Sequence, residues 1–269
     1  MKKITFSFLI LLFSPFMMAQ TTLTFGVVPQ QSASKLAKLW TPIFEKLSLK
    51  TAINIKFETA PDIPTFEKRL SQGQYDIAYM NPYHYVIFNQ KPGYQAIAKA
   101  RDKRIKGIIV VAKNSIYNNF NDLKNSTLAF PAPAAFAATI LTQADLKNNN
   151  ITFQSKYVSS HDSVYRTVAK GIYPAGGGVL RTFNNVDPSI KEQLKILSTT
   201  KGYTPHAIAI YPTVTPKQAK KIQQALIEME QSDSGKALLN NINIKGFENA
   251  VDSDWDDIRK LNLSVKVLK

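Results

Sequence analysis

Apolar and polar positions switch between two periods along this chain, and the switching outlines its elements. Residues 23–29 (LTFGVVP) form a short apolar run stopped by Pro29, the pattern of a buried strand. Ser34 to Leu47 then carries Leu36, Leu39, Trp40, Ile43, Phe44 and Leu47 at helical spacing, with Pro42 expected to kink the helix. Strands are predicted over 53–57 and 75–80, with a short helix from Pro64 to Leu70 between them. Further strands fall at 94–100, 107–112, 127–130, 153–158, 194–198 and 206–211. Helices fall at 133–146, 161–170, 216–231 and 252–261, the third opened by a Thr215 cap and Pro216 in the first turn. Strand and helix alternate, which predicts an α/β fold on largely parallel sheet with helices on both faces.

The N-terminus follows neither period. Met1-Lys2-Lys3 is basic, Ile4 to Phe13 is apolar, and Pro15 and Ala19 follow, the three-part layout of a secretory signal over residues 1–19. The apolar run is short of the ~20 residues a membrane-spanning helix needs. The expected product is an exported, soluble chain from residue 20. The sequence has 269 residues, 44% apolar, and no cysteine. That length suits one large domain or two lobes of roughly 100 residues. Without cysteine there is no thiol nucleophile, no Cys-ligated zinc, no iron–sulfur cluster and no lipoprotein anchor.

Charge changes the picture less. The chain carries 34 Lys and Arg against 19 Asp and Glu, a formal net charge of +15. Most of the lysines are scattered, and only Lys99 to Lys106 is a dense run. It lacks the interleaved aromatics that stack bases, so it reads as a solvated basic surface and nucleic acid is not an expected partner. No two histidines have ligand spacing, so no metal and no cofactor is expected. Phosphate-loop, dinucleotide and nucleophile-elbow motifs are all missing, which removes the usual enzyme readings.

Two α/β units, 20–105 with 206–269 and 106–205, would make a bilobal molecule with a two-strand hinge. A cleft between them gathers strand ends and helix starts around a ligand. At this point the residues resemble a known family, the periplasmic phosphate/phosphite/phosphonate-binding proteins of ABC transporters. Leu23 to Gln30 resembles that family's first strand and turn. Tyr75-Asp76-Ile77-Ala78-Tyr79-Met80-Asn81-Pro82-Tyr83-His84-Tyr85 is similar to its Asp-(variable)-Gly-Pro-x-x-Tyr segment, with Asn81 in place of Gly. Ser160-His161-Asp162 resembles its Ser-His-Asp at a helix start, and Ala250 to Trp255 its C-terminal segment. The resemblance spans residues 23–261 and implies a type II periplasmic-binding architecture: two mostly parallel sheets flanked by helices around a two-strand hinge.

The resemblance also implies a site, with two departures. The family's Ser/Thr-rich helix start corresponds here to Pro131-Ala132-Pro133-Ala134-Ala135-Phe136-Ala137-Ala138-Thr139, which has no hydroxyl before Thr139. Pro174 stands where members carry an Asp that holds a ligand amine. Backbone N–H groups at Ala134, Ala135 and Phe136 would still present an anion site without side-chain help, although the segment reads equally well as a packed Ala-rich helix. Ser160 is either an anion contact or only an N-cap, and His161 is either a protonated anion contact or a packed residue at the hinge. Tyr83 and Tyr85 would alternate sides if the strand continued, with Tyr85 on the family's ligand-facing position. Gln30, in the first turn, completes the candidate set. Gly176 to Gly178 permits close backbone approach or is a flexible bend.

The expected function is capture of a small anion of phosphate, phosphite or phosphonate type in the cleft, by a non-enzymatic, monomeric periplasmic protein. Delivery would be to an inner-membrane ABC permease. The alternative is an extracytoplasmic sensor or accessory protein of the same fold, working with a membrane sensor and taking a bulkier or more apolar ligand.

Overall fold

A computed structural model describes residues 21–263, so the predicted signal segment lies outside the described residues. The first half contains β1 (Thr22–Val27), α1 (Ala33–Thr51), β2 (Asn54–Glu58), α2 (Ile63–Ser71), β3 (Ile77–Met80), α3 (Pro82–Gln90) and β4 (Gln95–Ala100). The chain then crosses to a second unit: β5 (Gly107–Ala112), β6 (Ser126–Phe130), a π-helical turn (Phe136–Leu141) running into α4 (Thr142–Asn148), β7 (Phe153–Tyr157) and α5 (His161–Ala169). That unit ends with β8 (Ala175–Val179), α6 (Leu180–Asn184), α7 (Pro188–Lys191) and β9 (Leu194–Thr199). A second crossing leads back to β10 (Ala207–Ile210), α8 (Pro216–Glu228), α9 (Asp233–Asn241), β11 (Phe247–Asn249) and α10 (Asp256–Arg259).

Two sheets result, with strand orders β11-β4-β10-β3-β1-β2 and β7-β6-β8-β5-β9. Both are mixed rather than mostly parallel. Only β2-β1-β3 and β7-β6-β8 are parallel, their strands joined by helical crossovers. Strands next to the crossings pair antiparallel, because a chain returning from the other unit enters the sheet from the opposite end. The crossings themselves pair: Ile105 N–H donates to the Tyr203 carbonyl at 2.8 Å, and Tyr203 N–H returns to Ile105 at 3.0 Å. This is the two-strand hinge.

The cores explain the apolar runs. In β5, Ile108 and Val110 pack under α5 while Ile109 and Val111 pack with Leu146 of α4, so Gly107 to Val111 is buried on both faces. In the first unit Phe25 stacks on Phe44 at 4.4 Å, beside Trp40. That helix, α1, runs unbroken from Ala33 to Thr51 through Pro42, with Ser32 capping it.

Two local expectations fail and a third is settled, each for an identifiable reason. Pro82 opens a helix rather than ending a strand: Asn81 caps α3 by accepting from His84 N–H at 2.8 Å, so Tyr83 and Tyr85 lie on a helix instead of alternating across a strand. Gly176 to Gly178 is not a bend but the middle of β8, buried throughout, and it does permit a close backbone approach: a Cβ on Gly177 would lie 1.9 Å from the Ala138 carbonyl oxygen. The helix expected from Pro133 begins only at Phe136, because Ala135 N–H turns back to the Ala132 carbonyl at 3.2 Å.

Candidate functional site

Four pieces of chain converge between the two sheets: the turn after β1, the start of α3, the π-helical turn and the start of α5. Asn81 Nδ2 donates to the Ala134 carbonyl at 3.1 Å, joining first unit to second. His161 N–H donates to the Gln30 carbonyl at 3.1 Å. Phe136 meets Tyr203 edge-on, with ring centroids 5.8 Å apart. The units are therefore closed on each other. Replacing Asn81 with Ala should lower stability by about 1–2 kcal/mol in urea unfolding, since it removes both a helix cap and the inter-unit bond.

At this junction, Val28, Gln30, Asn81, Phe136, Ala138 and His161 surround a cavity of only about 10 Å³. That is room for at most one water. N–H groups of Phe136, Ala137 and Ala138 start the π-helical turn and lack intrahelical acceptors, as at any helix start. The free amides of this helix start thus begin at Phe136, not at Ala134 and Ala135, whose side chains are buried in apolar packing. Ser160 caps α5, accepting from Ser163 N–H at 3.1 Å. Tyr85 is fully buried away from the junction: its hydroxyl donates to Asp252 Oδ1 at 2.9 Å and its ring packs on Trp255. Tyr83, also on α3, is buried but does not line the cavity. Pro174 precedes β8 at the end opposite Val179, the residue of that strand that lines the junction, so its substitution bears on no ligand group there.

Of the two readings of His161, the structure supports the packed one. Its Nδ1 meets Thr182 Oγ1 at 3.1 Å and its Nε2 has no partner. Burial, reinforced by the nearby Arg181 guanidinium, lowers its pKa to about 3, so the ring is neutral at pH 7. His206, with Nε2 likewise unpartnered, is held well below its ordinary value by burial and then by Arg181.

Beside the small cavity, sharing Ile105 and Val179, lies a larger one of about 280 Å³. Its walls include Tyr79, Lys103, Arg181, His206 and Asn243. The basic run 99–106 is mostly exposed, as expected, but Lys103 is half-buried within it. Lys103, Arg104 and Lys106 turn toward this space because they lie on the first crossing. Burial and Arg181 lower the Lys103 ammonium to about 8, and it donates to the Asn243 carbonyl. Sequence reading missed Arg181 entirely; a single Arg after GGGVL has no local signal. Among the described residues, no group of three or more His, Asp or Glu could hold a metal ion.

Residues 25–255 match the family described as ABC transporter, phosphonate, periplasmic substrate-binding protein. The chain belongs to this family. It is accordingly a substrate-binding protein of a phosphonate-type ABC transporter and not an enzyme, and the match favours transport over the sensor alternative. Solved structures with the same fold include a binding protein component of an ABC phosphonate transporter from Pseudomonas aeruginosa. It is 16% identical, with a TM-score of 0.83 over 91% of this chain and 86% of that one. PhnD1 from Prochlorococcus marinus, solved with methylphosphonate, is 20% identical with a TM-score of 0.81 over 90% and 98% of the two chains. A Xanthomonas citri protein bound to ATP shares the fold at 15% identity and a TM-score of 0.69, over 90% and 96%. Members of the family are periplasmic, and among the described residues no helix is long and apolar enough to cross a membrane.

Proposed function

We propose that this protein is exported to the periplasm, closes two lobes (20–105 with 206–269, and 106–205) over a phosphonate-type anion, and presents the closed form, as a monomer, to a membrane permease. The observation that carries this reading is the inter-lobe junction itself. Gln30 from one lobe meets both His161 N–H and the Arg181 guanidinium of the other. Such contacts form only on closure, so a ligand that bridges the lobes shifts the population toward the closed state.

In this reading Gln30, Phe136 and His161 form the floor of the cleft, with the amides that follow Ala134 and Ala135 facing it. Ser160 holds the start of α5, while Tyr83 and Tyr85 hold α3. The 10 Å³ junction is too small for a phosphonate, so the ligand enters an opened form or occupies the adjoining larger cavity.

The test is thermal unfolding of residues 20–269 against phosphate, phosphite, methylphosphonate, 2-aminoethylphosphonate, sulfate and small carboxylates. Ligand at 100 times its dissociation constant adds about 2.7 kcal/mol. For a chain of this size that is a rise of about 5–10 °C. A rise with a phosphorus oxyanion and none with carboxylates is expected; a flat panel would overturn the reading.

A further inference from the structure

We infer that the ligand's negative charge is held by the Arg181 guanidinium and the Lys103 ammonium in the 280 Å³ cavity beside the hinge, rather than by the bare helix start at Phe136. The inference rests on the proposed function and adds the binding residues and the ligand class to it.

Arg181 is 8% exposed, yet among the described residues no carboxylate pairs with it. Its neighbours are Gln30 Oε1, which accepts from Nη2, and the Tyr79 ring, whose centroid is 5.9 Å from the guanidinium carbon. An amide and an aromatic face compensate a buried cation only in part. Lys103 and Lys106 line the same cavity and also make no ion pair among the described residues. Arg104 is neutralised by Asp257 at 2.7 Å, and the one carboxylate in the lining, Asp102, points largely to water and pairs with Arg101 at 3.7 Å. The cavity is thus lined by more positive charge than the protein cancels, with Arg181 buried, Lys103 half-buried and Lys106 exposed. Burial first, and then Arg181, push the Lys103 ammonium below its ordinary value.

A third feature points to a ligand. His206 stacks on Tyr79 with centroids 4.7 Å apart, is 3% exposed, lines the cavity, and has an Nε2 with no partner. Neutral imidazole can donate to or accept from an oxyanion without adding charge. A guanidinium offers two parallel donors, which match two oxygens of a phosphoryl or phosphonyl group, and an ammonium supplies a point charge for a third. The cavity volume corresponds to roughly nine waters at about 30 Å³ each. One oxyanion would leave much of it empty. Ala100, Ile105, Leu180 and Pro205 supply an apolar wall for the remainder. The expected ligand class is a dianionic phosphonate or phosphate monoester carrying a small organic group.

Binding of inorganic phosphate, methylphosphonate, 2-aminoethylphosphonate and phenylphosphonate would be measured by calorimetry for the wild type, Arg181→Met and Lys103→Gln. Arg181→Met should weaken the tightest of these on the order of a hundredfold or more, and Lys103→Gln about tenfold. The melting temperature of ligand-free Arg181→Met should be unchanged or higher, because a buried unpaired charge has been removed. If Arg181 only latched the lobes through Gln30, that variant would melt earlier while Lys103→Gln bound normally. Wild-type-like affinity in Lys103→Gln together with wild-type-like affinity or early melting in Arg181→Met overturns the inference and leaves the transport reading standing. No binding by the wild type to any of the four overturns both.

Discussion

Lowering the pH from 7 to 5 should reduce the unfolding free energy by about 4 kcal/mol through two imidazoles. His161 and His206 are fully buried, and both are held well below the ordinary histidine value by burial and then by Arg181. The unfolded chain takes up their protons near pH 6.5, whereas the folded protein does not. Stability is therefore complete above that value and is lost as pH falls, for His161 until its folded pKa of about 3 is reached. Each ring contributes about 1.4 kcal/mol per pH unit inside that window. Carboxylates held below their usual range, Asp122, Asp187 and Glu228, lose their contributions at lower pH, which keeps the interval from 7 to 5 mainly a histidine signal. Asp145 and Asp162, pushed up by burial, act in the opposite sense as they protonate. Urea unfolding at the two pH values measures the difference, and His161→Gln should roughly halve it. Equal midpoints at pH 7 and 5 would mean that the folded rings are protonated, and the closed junction as described would be wrong.

Gly177→Ala should destabilise the protein by about 3 kcal/mol or more and lower its melting temperature by roughly 6–12 °C. An added Cβ would lie 1.9 Å from the Ala138 carbonyl oxygen and 2.7 Å from the Phe130 ring. The first contact is with backbone, so no rotamer change relieves it. Gly107 is in the same position against the Ala137 carbonyl, at 2.1 Å. Two strands of the second sheet thus lack side chains where the π-helical turn presses against them, and that turn fronts the cleft. A wider helix needs a flatter bed, and the glycines supply it. Gly171→Ala is the control: its φ of +71° costs about 1 kcal/mol, but nothing lies within 4 Å of the new methyl. Equal losses for Gly177→Ala and Gly171→Ala would refute the packing argument.

The same two segments show why the sequence was read unevenly. Ala-rich 132–138 looked like a helix from Pro133, since alanine favours helix and nothing local signals a π turn. GGGV reads as a close approach or a bend rather than a strand, since glycine disfavours strands when judged alone. Each is explained by the other: small side chains on the turn and none on the strand let two backbones meet. Asn81-Pro82 is legible in principle as a cap followed by a first-turn proline, since the predicted strand ends at Met80, but its helix was not predicted. Residues 99–106 read as a charge run and are mostly exposed, while Lys103 is half-buried because it lies on the crossing beside Arg181.

Alternating periods, the caps at Ser160 and Thr215 and the family segments were enough to specify most helices and strands, the bilobal architecture and the family. Those features depend on residues near one another in the chain, and an apolar period reports which side of each element faces a core. Strand direction near the hinge, the neutrality of His161 and the charged cavity were decided only by the tertiary structure. Gln30 and Arg181 lie 151 residues apart, and Lys103 and His206 come from different crossings. Whether a cation is paired, buried or free to hold an anion depends on which groups surround it in space, and no local pattern encodes those surroundings.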